Sequence, residues 1–137
     1  MAELTEISGK VRQYMKEHEE EFLGQFRHLH QHPELSFQEH ETTAYIKKKL
    51  EGWGIEILDI GLETGVVGLL KGGKEGPCIA LRADIDALPV LEESTSEYRS
   101  QNKGVMHACG HDCHASILLG AARLLKEQEK ELKGTVK

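Results

Sequence analysis

Between Trp53 and Ile55 the apolar spacing of this chain changes from steps of three and four to steps of two, which decides its fold class. Upstream, Val11, Met15, His18, Phe22, Phe26 and Leu29 recur at helical spacing, with Lys16, Glu19 and Glu20 opposite them. One amphipathic helix is predicted there. It stops before Pro33, because the residue preceding a proline is pushed out of helical geometry. A second helix is predicted from a capping box formed by Ser36 and Glu39, through Ile46, Leu50 and Trp53, to a stop at Gly52 and Gly54. Downstream, Ile55 to Ile60, Val66 to Lys71 and Cys78 to Ala83 read as strands. The third of these, CIALRA, is apolar enough to be a central strand buried on both faces. A polar loop then leads to a third helix starting near His111, with Ile117, Leu118, Ala121, Ala122, Leu124 and Leu125 as its buried side. Gly134–Lys137 looks like the opening of a further strand. Helices on a mixed sheet, closing in strand-helix-strand order, define an α/β protein.

Composition narrows the partners. A net charge of −6 argues against a nucleic-acid partner, which usually requires a basic face. No apolar run approaches the length of a membrane span, and the charged N-terminal stretch does not read as a secretory signal. Three cysteines without a spaced framework fit a reducing compartment, so a cytoplasmic location is expected. The 137 residues suffice for one compact domain with a core.

The densest chemistry lies in His107-Ala108-Cys109-Gly110-His111-Asp112-Cys113-His114. A thiolate and an imidazole two residues apart suit zinc or another borderline transition metal. Gly110 between them permits a backbone turn that aims both side chains one way. A helix starting at this point would also favour the Cys109 thiolate through its dipole. The competing reading is a polar loop capping a helix, with Asp112 as the cap. In Leu81-Arg82-Ala83-Asp84-Ile85-Asp86, two carboxylates leave the end of an apolar strand, where open α/β sheets place their ligands. They could ligate a metal or orient a ligand; equally, they could pair with Arg82 or cap nearby backbone. His28, His30 and His32 sit against Pro33 and read as surface or packing histidines. Gly68 to Lys74 matches part of a phosphate-binding loop, but Glu75 replaces the required Ser or Thr and Gly76-Pro77 follows instead of a helix. A hairpin turn between two strands is predicted there.

Three ordered motifs, RHLHQHPELSFQEHET, LRADIDALPV and GVMHACGHDCHA, closely resemble the amidohydrolase branch of the aminoacylase/carboxypeptidase metallohydrolase family. The resemblance runs from about Phe26 to Lys137. It implies a zinc-peptidase-like catalytic domain of which residues 1–137 form the N-terminal portion, the rest and an inserted dimerisation domain being absent. It also implies metal-dependent hydrolysis of the amide bond of N-acyl amino acids. Two divalent ions (zinc, manganese, cobalt or nickel) would serve each complete site, with Cys109 and His111 inheriting the role of metal ligands. Where sister branches carry a metal-binding His, this chain has Arg82, which leaves Asp84 a supporting residue at most. The Glu-Glu motif that supplies the family's general base follows a strand beginning like Gly134–Lys137 and is not among these residues. The resemblance is compatible with a homo-oligomer in the full-length parent, without nucleic-acid or membrane partners. Two other classes stay open: a non-catalytic fragment or pseudoenzyme, and a small structural-metal protein using Cys109, His111, Cys113 and His114. The latter set is crowded for a structural zinc, which usually joins two separated pairs of ligands.

Overall fold

A computed structural model describes residues 2–137. Four helices, α1 (Ala2–Glu17), α2 (Glu19–Gln31), α3 (His40–Gly52) and α4 (His111–Glu127), accompany four strands, β1 (Glu56–Leu58), β2 (Val67–Lys71), β3 (Lys74–Ile79) and β4 (Lys133–Val136). The sheet is mixed, in the order β1-β2-β4-β3. β1 pairs antiparallel with β2, β2 antiparallel with β4, and β4 parallel with β3. Leu50 of α3, Ile55, Leu70 of β2 and Leu119 of α4 form the centre of the core. Ile46, Trp53, Ile57, Val66, Ala122, Leu125, Leu132 and Val136 pack around them. Burying a leucine or isoleucine side chain contributes about 1.5–3 kcal/mol, so these few contacts anchor the two helices to the sheet.

The first predicted helix is two helices, broken at His18. The His18 ring stacks on Tyr14, and its Nδ1 lies 3.0 Å from the Tyr14 carbonyl oxygen. His18 itself leaves helical geometry, with φ −114° and ψ 16°. A side chain that bonds the backbone one turn back competes with the helical ladder. The capping box at Ser36 and Glu39 does not form, and α3 begins at His40 with no side-chain bond from its N-cap. Glu34 does the capping instead: its carboxylate accepts the Glu41 and Thr42 amides at 3.1 and 2.7 Å. A negative charge there also suits the positive end of the helix dipole.

The third strand differs most from expectation. β3 starts at Lys74 and ends at Ile79, and it pairs only with β4, so it is an edge strand whose residues are all exposed. The Gly72-Gly73 turn is not a hairpin, since β4 enters between the strands it joins. That insertion presses backbones together. A Cβ on Gly134 would collide with the Pro77 carbonyl oxygen, and one on Gly72 would sit 2.6 Å from the Gly134 oxygen. On α4 the buried residues are Asp112, Ala115, Ser116, Leu119 and Gly120, while Ile117 is 68% exposed. The predicted stripe was rotated because its inner face begins with a polar residue, Asp112, which the apolar period does not count.

Candidate metal centre

Three crossing points fix the loops around α4. Leu88 and Met106 exchange backbone hydrogen bonds of 2.9 and 3.0 Å, and the Ala87 amide donates to the Glu34 carbonyl at 2.8 Å. The Asn102 side chain donates to the Pro33 carbonyl at 2.7 Å. Asp86 and His107 therefore leave a pinned two-strand bridge from opposite sides, next to the start of α4. Gly110, the N-cap, has φ 89°, a left-handed conformation that residues with a Cβ rarely adopt. Through it the chain turns from the exposed Cys109 into His111, the first helical residue.

His111 is held by Asp86. Its Nδ1 lies 2.9 Å from Asp86 Oδ1 and 3.0 Å from the Asp86 carbonyl oxygen. Two acceptors on one ring nitrogen favour the tautomer with the proton on Nδ1, which leaves the Nε2 lone pair available. Metal-ligating histidines are oriented in this way by a carboxylate or carbonyl on the other nitrogen. Asp84, expected as a supporting carboxylate, instead pairs with the exposed Arg82 at 2.6 Å. The carboxylate that touches a predicted ligand belongs to Asp86, one of the two for which the sequence left ligating or orienting a ligand open.

On the other side of the first turn, Asp112 is buried. Its Oδ1 accepts the Cys113 amide at 2.9 Å, and its Oδ2 lies 2.6 Å from His30 Nδ1. His30 Nε2 lies 3.3 Å from Glu92 Oε1, and Glu92 Oε2 accepts the Ser100 amide at 2.6 Å. Burial alone would lower the His30 pKa, but hydrogen bonds and charge from Asp112 and Glu92 outweigh it and raise the pKa above 6.5. His30 thus bridges two carboxylates as well as packing against the Phe26 and Tyr98 rings. His28 and His32 are different: their rings lie 4.7 Å apart, with His28 stacked on Tyr45. His107 is 5% exposed, and neither of its ring nitrogens has a hydrogen-bond partner. Burial lowers its pKa, favouring the neutral imidazole.

A soft thiolate and an oriented imidazole fit a borderline transition metal. Among the described residues, no three His, Cys, Asp or Glu side chains converge to hold one. Cys109, His111, Cys113 and His114, the set the structural-metal reading needs, are therefore not gathered into one site.

This α/β fold was compared with those of known proteins. Residues 80–137 match Peptidase family M20/M25/M40. An N-acetyl-L-cysteine deacetylase of Bacillus subtilis (strain 168) is 56% identical over 119 residues, covering 87% of this chain and 29% of that protein. An N-acyl-L-amino acid amidohydrolase of Geobacillus stearothermophilus is 40% identical over 128 residues, 93% of this chain and 35% of its own length. Among solved structures, a Bacillus subtilis dinuclear metal binding peptidase from the M20 family superposes with a TM-score of 0.86 at 51% identity, covering 88% of this chain and 34% of that one. The chain belongs to the M20/M25/M40 peptidase family. It spans about a third of the length of these relatives. No helix of the described residues is long and apolar enough to cross a membrane.

Proposed function

We propose that this chain carries part of the metal site of an amidohydrolase that cleaves N-acyl amino acids, with Cys109 and His111 as two of the ligands. The observation that carries the reading is the Asp86–His111 contact of 2.9 Å, which leaves Nε2 available one glycine away from the Cys109 thiol. Divalent ions bound there would lower the pKa of a water and polarise the amide carbonyl. Zinc, cobalt and nickel suit such donors better than manganese, which favours oxygen ligands. The relatives that act on N-acetylcysteine and N-acyl amino acids direct the substrate proposal to the same class.

Cobalt(II) titration of the purified chain tests the ligand assignment. A thiolate-to-cobalt charge-transfer band is expected in the wild type and absent in Cys109→Ser, since serine offers a hard, poorly ionised oxygen. His111→Ala should weaken binding without removing the thiolate. An unchanged band in Cys109→Ser would end the assignment.

A further inference from the structure

We infer that His30 is a positioning residue for the metal-ligand turn, clamping α4 through Asp112 while Asp86 clamps it through His111. Residues 111 and 112 are consecutive in a helix and so point about 100° apart, at 3.6 residues per turn. A contact to one alone leaves the first turn free to rotate about that contact; contacts to both, from different elements, do not. Asp86 comes from the loop after β3, and His30 comes from α2. The clamp is itself anchored. The far nitrogen of His30 meets Glu92, whose carboxylate is tied to Ser94 and Ser100. All three side chains of this row are shielded: His30 is 12%, Glu92 5% and Asp112 4% exposed. A buried imidazole between two buried carboxylates is held by its partners, because removing one leaves a buried charge uncompensated. The Asp112 backbone carbonyl is separately taken by the Ser116 hydroxyl at 2.7 Å.

The inference rests on Cys109 and His111 being ligands, and its test has two arms that keep the two readings apart. Asparagine places an amide nitrogen where His Nδ1 stands, and glutamine places one where Nε2 stands. His30→Asn therefore preserves the Asp112 contact, His30→Gln preserves the Glu92 contact, and His30→Ala preserves neither. In the first arm, cobalt(II) is titrated into the whole chain and the thiolate band is followed. His30→Ala and His30→Gln should bind about 10- to 100-fold more weakly, the usual loss when a partner of a ligand is removed. His30→Asn should stay close to wild type. In the second arm, amide hydrogen exchange of Cys113 and His114 is measured by NMR without metal. Faster exchange is expected in His30→Ala and His30→Gln, and not in His30→Asn. Equal losses in all three variants, or losses that follow only their thermal midpoints, would make His30 a packing residue and overturn the inference. Unaltered exchange in His30→Ala would overturn it as well. If the wild type shows no thiolate band, the ligand reading fails, and the exchange arm alone still decides whether His30 orders the turn.

Discussion

Replacing Asp86 by alanine separates the orienting role of its carboxylate from that of its backbone. His111 Nδ1 has two acceptors on Asp86, Oδ1 at 2.9 Å and the carbonyl oxygen at 3.0 Å, and the substitution removes only the first. A hydrogen bond to a charged group contributes about 1.5–3 kcal/mol. The two side chains are 19% and 27% exposed, so solvent screening places the loss near the low end, about 1.5 kcal/mol. That corresponds to roughly tenfold weaker metal binding at about 1.4 kcal/mol per decade. Asp86→Asn retains an oxygen acceptor but not its charge, and should lose about half as much free energy. Asp84→Asn is the control: that carboxylate faces Arg82 in solvent, and its loss should leave the affinity essentially unchanged. Calorimetric titration of zinc into the three variants gives the affinities, and the tautomer of His111 is read from its ring nitrogens by NMR. Nδ1 should be protonated in the wild type and less so in Asp86→Ala. If Asp84→Asn weakens binding as much as Asp86→Ala, the supporting role belongs to Asp84, and the His111 contact is incidental.

Gly134→Ala should lower the urea midpoint by the equivalent of about 3 kcal/mol, since it adds a collision with the Pro77 carbonyl to an unfavourable φ of 85°. Gly110→Ala, with φ 89° and open space around the new Cβ, should cost only about 1–2 kcal/mol. The His30 clamp predicts a pH window. Its imidazole, raised by Asp112 and Glu92 against the effect of burial, adds stability that is full below 6.5 and lost as pH rises through the higher folded value. Burial would raise the Glu92 pKa, but hydrogen bonds from Ser100, Ser94 and His30 hold it below 4.5. Its contribution is present above 4.5 and lost on further acidification. The stability gap between wild type and His30→Ala, from urea melts, should therefore be widest between those two values. The 137-residue chain alone should not turn over N-acetylcysteine, N-acetylmethionine or hippurate with any of the four metals, because no third donor joins Cys109 and His111 among the described residues. Metal-dependent product release that Cys109→Ser abolishes would contradict this.

The α/β class, three of the four strands and the start of α4 at His111 were legible because apolar period and glycine placement are local signals. As candidates, Cys109 and His111 were visible for the same reason, being separated by a single glycine. Their supports were not. Asp86 and His30 approach the turn from 25 and 82 residues away in the chain, and no spacing rule connects such positions. Glu34 shows the same limit at short range, taking the capping role that the pattern assigned to Ser36 and Glu39. Sheet order misled for a physical reason. CIALRA is apolar enough for a central strand, yet strand order depends on which segment arrives beside which, and β4 took the place between β2 and β3.

That placement has a consequence for synthesis. β2 and β3 follow one another immediately, yet neither can pair with the other, because each bonds to β4. While the ribosome is making α4, β1 and β2 can already zip together, and β3 has no partner. Only when Lys133–Val136 has cleared the exit tunnel does a single short strand, its Gly134 passing close to Gly72 and Gly76, complete the other two of the sheet's three pairings at once. Pairings so distant in sequence carry a large loop-closure entropy and form slowly. The unpaired β3 edge is, until then, the segment of the nascent chain most open to capture by another strand.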